Sequence, residues 1–357
     1  LIQVAQGALF AALGYDNANR RTSLGYSNNT TTSYAYDLAS RLTNITHNGP
    51  SGVIDALTYT YDEAGNRFGA NRANGTASLV PNAVAGATYD AANEQTQFAG
   101  ATLQYDANGN LTNDGVNTYQ WDARNRLIGM SGGTNATFAY DPLGRRASKT
   151  INGVSTQFAY DGNDITAEIG SGAVSANYLR SLNIDEPFVR QTSTGNDHYH
   201  TDALGSSLNL SDAIGGSVAA YAYEPFGKTT ATGSSSNALQ YAGRENDGTG
   251  AYYQRSRYYG PVFQRFMSED PLRFAGGDPN VFAYVWNSPI QFRDPLGLLG
   301  IGGTAGISGG SGNGLVGVAG TASVGAGLFG GGDQGLNVGS FSSVGAFAGG
   351  PLGSIGY

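Results

Sequence analysis

Apolar side chains along the first 161 residues come in short period-two pairs: Tyr34 and Tyr36, Tyr59 and Tyr61, Leu103 and Tyr105, Tyr119 and Trp121, Phe138 and Tyr140, Phe158 and Tyr160. A period of two puts both members of a pair on one face of a β-strand. The second aromatic is followed each time by aspartate, and the aromatic–Asp step recurs at Tyr15-Asp16, Tyr36-Asp37, Tyr61-Asp62, Tyr89-Asp90, Tyr105-Asp106, Trp121-Asp122, Tyr140-Asp141 and Tyr160-Asp161, at intervals of 16 to 28 residues. Intervals so uneven exclude a solenoid of fixed coil length and suit hairpins with loops of different size. An aspartate side chain accepts a bond from the N–H two residues on, and a following Gly or Asn takes positive φ, as in Asp62 with Gly65-Asn66, Asp106 with Gly109 and Asp141 with Gly144. Leu42, Leu111 and Leu127 then fall five residues after Asp37, Asp106 and Asp122, where a return strand begins.

A single two-stranded unit is marginal in water, so successive hairpins must pair edge to edge into one long curling sheet. The expected fold class is therefore all-β. Composition points the same way: 55 of 357 residues are glycine and only 13% are charged, which favours strands and turns over helices. Residues 228–240 are rich in Gly, Ser and Thr and read as an exposed loop. His198 and His200 would share one face of a strand, but His47 is the one other histidine and no metal site is assigned.

From Arg257 to Leu298 the character changes. Ordered here are Arg257-Tyr258-Tyr259, Arg265-Phe266, Ser268-Glu269-Asp270-Pro271, Ala283-Tyr284-Val285, Asn287-Ser288-Pro289 and Asp294-Pro295-Leu296-Gly297-Leu298, preceded by Tyr199-His200-Thr201-Asp202 and Tyr223-Glu224-Pro225-Phe226-Gly227. With the repeats, this stretch resembles the Rhs and YD-repeat proteins over roughly residues 15–298. The resemblance implies a hollow β-shell closed by a core: a YD-repeat region at 1–176, a repeat-associated core at 177–298 and a glycine-rich tail at 299–357. It further implies that two aspartates and an arginine cut the chain after the Asp-Pro-x-Gly-Leu motif. By motif position these are Arg257, Asp270 and Asp294, and the expected bond is Leu298–Leu299. Two carboxylates shielded from water share a proton, so one activates water while the other protonates the amide leaving group. Proline after each aspartate fixes φ and helps to hold the carboxylate in place.

The tail after Leu299 holds 22 glycines in 58 residues and one charged side chain, Asp333, so it lacks the groups that an effector enzyme needs. Extended glycine-rich strands are expected there, and membrane insertion is not. A net charge of −8 with scattered Lys and Arg argues against nucleic acid as a partner of the body. Zero cysteines excludes disulfides and thiolate chemistry. No phosphate-binding glycine motif or Ser-His-Asp set marks a metabolic enzyme, and no cofactor is expected. A start at Leu1 without Met or signal-like segment suggests a fragment or a processed product. Two functional readings follow: a secreted or cell-surface shell that encloses and processes its own C-terminal segment, with upstream Rhs or toxin-complex segments as partners; or a non-catalytic subunit whose open strand edges assemble head to tail into an extracellular filament or tube.

Overall fold

The computed structural model describes residues 2–84 and 86–298, together with the backbone of the strands Ile301–Gly302, Ala326–Gly330 and Leu336–Ser340. Strand accounts for 51% of the chain, and the helical turns among the described residues are three short 3₁₀ segments. A seven-stranded sheet runs from Ile2 to Arg72, a three-stranded sheet from Thr88 to Thr102, a fourteen-stranded sheet from Gln104 to Gly233 and a four-stranded sheet from Glu245 to Phe266. Within the first and third of these, every strand pairs antiparallel with its neighbours in sequence, so the fold is a meander of hairpins.

Each aromatic–Asp step marks the same local event. The register slips between residues 14 and 15, 35 and 36, 60 and 61, 88 and 89, 104 and 105, 120 and 121, 139 and 140, and 159 and 160, so each aromatic residue sits at a bulge. A bulge bends its strand and increases the local twist, and repeating it at one end of hairpin after hairpin curls the sheet. The aspartate then closes the turn. Asp122 Oδ1 accepts the N–H groups of Arg124 (2.9 Å) and Arg126 (3.0 Å), and its Oδ2 binds Arg126 Nε at 2.8 Å. Asp16, Asp37 and Asp141 repeat this arrangement with Arg20, Arg41 and Arg145.

Neighbouring repeats are stitched by the same residues. The guanidinium that closes one turn lies over the aromatic ring of the next: Arg20 on Tyr36, Arg41 on Tyr61, Arg126 on Tyr140 and Arg145 on Tyr160, at 4.6 to 5.0 Å from the centroid. That ring's hydroxyl donates to a carbonyl five residues past the previous aspartate, as in Tyr61 to Leu42, Tyr140 to Leu127 and Tyr160 to Arg146. Leu42, Leu111 and Leu127 are fully buried at this place. Arg21 and Arg146 occupy it too, paired with Glu186 and Asp247, which offset the cost of burying each cation.

Two features depart from the sequence reading. Asp161 ends the strand Val154–Asp161 where a reversal is expected, but it faces Asp164 across a two-residue turn, so its carboxylate closes no wider loop. Residues 229–233 form the last strand of the fourteen-stranded sheet, because Thr229–Gly233 finds five register partners on Ser217–Tyr223. Asn237 and Leu239 beyond it are buried, with Asn237 accepting from Tyr199 Oη at 2.7 Å. Asp202 and Asp212 close turns of the repeat type without an aromatic residue before them.

The first sheet packs through Leu42, Ile45 and Tyr59 against Leu179, Phe188, Val189 and Leu208 of the long sheet, so distant ends of the meander meet face to face. Arg72 ties this contact, binding Asp55 at 2.6 Å and the carbonyls of Tyr221 and Leu208. A second core joins Leu111, Leu127 and Phe138 to Tyr253, Tyr258 and Met267, which seats the four-stranded sheet on the meander. Beyond Leu298, Ile301–Gly302 pairs with Phe292–Arg293 and Ala326–Gly330 pairs with Leu336–Ser340, as expected for extended glycine-rich strands.

All three histidines meet at the first of these contacts. His198 and His200 share a face of the strand Gly195–Thr201, both edge-on to Tyr26, and His47 from the opposing sheet lies 5.2 Å from His200. Burial holds all three below the usual imidazole range, His47 at about 3, and Arg72 lowers His47 further. Asp197 and Asp212 oppose the shift at His198 only weakly.

Two predictions follow from these contacts. Tyr140→Phe removes a hydroxyl that satisfies the Leu127 carbonyl and should cost about 1 kcal/mol in urea unfolding, whereas Leu143→Ala, at an exposed turn tip, should cost close to nothing. Histidines kept neutral in the fold bind protons only when it opens. Stability is therefore fully present above pH 6.5 and declines as the pH falls, with about 2 kcal/mol lost from His47 alone by pH 5. The urea midpoint should drop between pH 7 and 5, and the His47 ring resonances of the folded chain should not titrate in that window.

Candidate active site

Arg257 lies on the strand Arg257–Gly260, Asp270 follows the strand Arg265–Phe266, and Asp294 follows the short strand Phe292–Arg293. All three are buried. One guanidinium nitrogen, Arg257 Nη2, lies 2.8 Å from Asp270 Oδ2 and 3.5 Å from Asp294 Oδ2, so carboxylates 24 positions apart in sequence meet on one cation. The rest of the guanidinium is fixed as well. Nε donates to the Gly297 carbonyl, Nη1 donates to the Val281 carbonyl at 3.1 Å, and the group stacks 3.4 Å above the Phe266 ring.

Both carboxylates are held by the turns that they open. Proline at the next position has no N–H to offer, so Asp270 Oδ1 accepts from Leu272 N at 2.7 Å. Asp294 Oδ1 accepts from Leu296, Gly297 and Leu298 at 3.2, 2.8 and 3.2 Å. Gly297 has φ +70°, and a methyl group there would overlap the Gln254 carbonyl oxygen, so glycine is required for this loop. Arg255 steadies it from outside by donating to the Pro295 carbonyl while binding Asp185 and Asp164.

Arg257, Asp270, Asp294 and Leu298 line a cavity of about 20 Å³, room for one water molecule. Burial pushes the Asp270 carboxyl above its usual range, with Arg257 opposing the shift. Burial likewise lowers the Arg257 guanidinium, which the two carboxylates counteract. Of the five residues expected from sequence, Arg257, Asp270, Asp294 and Leu298 are brought together, while Leu299 lies outside the described residues. Sequence reasoning missed Phe266 as the surface on which Arg257 stacks, although it stands in the quoted motif. It also missed Arg255 and Asp185, which are 70 positions apart and carry no local signal.

This geometry and the meander define a YD-shell type of protein. The Teneurin YD-shell family model matches residues 8–276, and the chain belongs to that family. It is 34% identical over 257 residues to the tRNA3(Ser)-specific nuclease WapA of Bacillus spizizenii, covering 68% of this chain and 11% of that protein. It is 30% identical over 314 residues to the probable deoxyribonuclease RhsB of Dickeya dadantii, covering 76% of this chain and 21% of that protein. The chain thus spans a small part of the length of these relatives. Among solved structures, TcdB2-TccC3 superposes with a TM-score of 0.59 at 19% identity, over 80% of this chain and 20% of that one, which shows the shared fold.

Gly297→Ala should destabilise the chain by about 2 kcal/mol or more, since it combines a strained backbone with a carbonyl clash. Denaturant unfolding checks this, and a loss below about 0.5 kcal/mol would mean that the loop is free to move away.

Proposed function

We propose that this chain is the part of a YD-shell protein that processes its own C-terminal segment by aspartyl autoproteolysis at Leu298–Leu299. One observation carries the reading: the buried Arg257 bridges Asp270 and Asp294 at a cavity with room for one water molecule, and Leu298 lines that cavity. An acid held above its ordinary range stays protonated nearer neutrality, which suits Asp270 to deliver a proton to the leaving amine. Asp294, anchored by three backbone N–H groups, then takes the proton from the attacking water. The two act as a coupled pair with Arg257 between them.

The reading includes a secreted or cell-surface setting, which fits relatives named as toxins: Tse5 of Pseudomonas aeruginosa and the toxin subunit YenC1 of Yersinia entomophaga. Its partners are further shell segments of such assemblies. Among the described residues, the edge strand Ile2–Gln6 pairs on one side only and leaves main-chain groups open to an adjoining strand. Assembly of identical copies through such edges into a filament is the second reading. The nuclease names belong to whole proteins of which this chain spans 11% and 21%, and no nuclease activity is proposed for it.

Intact mass of the full chain tests the proposal beside Asp294→Asn. The wild type should yield a fragment ending at Leu298 and the variant should stay whole; identical mass patterns would refute it.

A further inference from the structure

Gly276 and Gly277 stand side by side before the Asp278-Pro279 step, yet their constraints differ. Gly277 has φ +86°, a left-handed conformation that caps the 3₁₀ turn Arg273–Gly276. Gly276 has no such backbone demand and is buried. What it lacks is space. A methyl group built on Gly276 would stand 3.1 Å from Asp270 Oδ2 and 3.3 Å from the Leu298 carbonyl oxygen, tight contacts on both sides. The missing side chain therefore faces the candidate acid and the carbonyl of the bond expected to break. Gly276 also lines the one-water cavity with Arg257, Asp270, Asp294 and Leu298.

We propose that Gly276 is a positioning residue for chain cleavage: its bare Cα leaves the gap in which the Leu298 carbonyl and a single water molecule lie against Asp270. The inference rests on the autoproteolytic reading and adds to it a residue outside the carboxylate–arginine set. In the step itself, the water oxygen bonds to the Leu298 carbonyl carbon and its proton passes to one carboxylate. The other carboxyl protonates the Leu299 nitrogen, the C–N bond breaks, and a Leu298 carboxylate and a Leu299 amine result. One water is consumed and no co-reactant is needed. The reacting carbonyl and the water must both fit beside Asp270, and displacement of a reacting group by a fraction of an ångström to 1 Å costs about 10- to 100-fold in rate.

The test follows cleavage of the full 357-residue chain during pulse-labelled cell-free synthesis, comparing wild type, Gly276→Ala and Gly277→Ala. Gly276→Ala should slow the appearance of the fragment ending at Leu298 by at least about 10-fold. The alkaline limb of its residual cleavage, where Asp270 loses its proton, should move to higher pH than in wild type, because a methyl beside Asp270 strips away more water. Gly277→Ala strains the backbone and should lower the melting temperature while keeping the wild-type cleavage rate and pH profile. If wild type is cut and Gly276→Ala is cut equally fast, the inference is overturned and autoproteolysis stands. If both glycine variants lose cleavage in proportion to lost stability, the role is structural and the inference is again overturned. Should wild type remain whole, the autoproteolytic reading fails, and this inference with it.

Discussion

The carboxylate that captures its own turn is the interaction on which this molecule depends. At Asp16, Asp37, Asp122 and Asp141 one oxygen gathers the N–H groups two and four residues on, and the other binds the arginine that ends the loop. No single pair of this kind contributes much, since the arginines are 25% to 34% exposed and screened by solvent. Their weight comes from geometry. By fixing where each strand reverses, the aspartate places the following guanidinium over the next ring and that ring's hydroxyl on the previous repeat's carbonyl, so local turns become a continuous wall.

The candidate active site uses the same device in a different dielectric. Asp270 and Asp294 also open turns and also spend one oxygen on backbone N–H groups. The first donor is again the N–H two residues on, but the second oxygen of each meets Arg257 from another strand instead of a neighbour in its own loop. Moving the pair from a half-exposed rim to a buried cavity turns a structural ion pair into one with raised proton affinity at Asp270. A turn closure in water stabilises; two of them buried against one cation and a water-sized space form the arrangement on which the proposed cleavage rests.

The histidines show how a buried contact between sheets acquires a pH response without any site of its own. His47 comes from the seven-stranded sheet, and His198 and His200 come from the fourteen-stranded one. Their proximity follows from the curl that folds the meander onto itself, and burial does the rest.

The aromatic–Asp spacing by itself determined the all-β class, the positions of the reversals and the buried leucines five residues further on, because these rest on contacts within about five residues. Arg257, Asp270 and Asp294 were singled out through the resemblance to Rhs and YD-repeat proteins, not through spacing or periodicity. The strand Thr229–Gly233 was misread, because cross-strand partners rather than local composition decide that place. The tertiary structure alone decided that one guanidinium meets both carboxylates, that Arg21 and Arg146 are buried beside Glu186 and Asp247, and that Gly276 faces the Leu298 carbonyl. The Arg257 and Gly276 contacts depend on how the turns after the four-stranded sheet fold back, and the Arg21 and Arg146 pairings on how far the long sheets curl. That curl is the summed effect of many bulges, so residues far apart in the chain meet where no local pattern could place them.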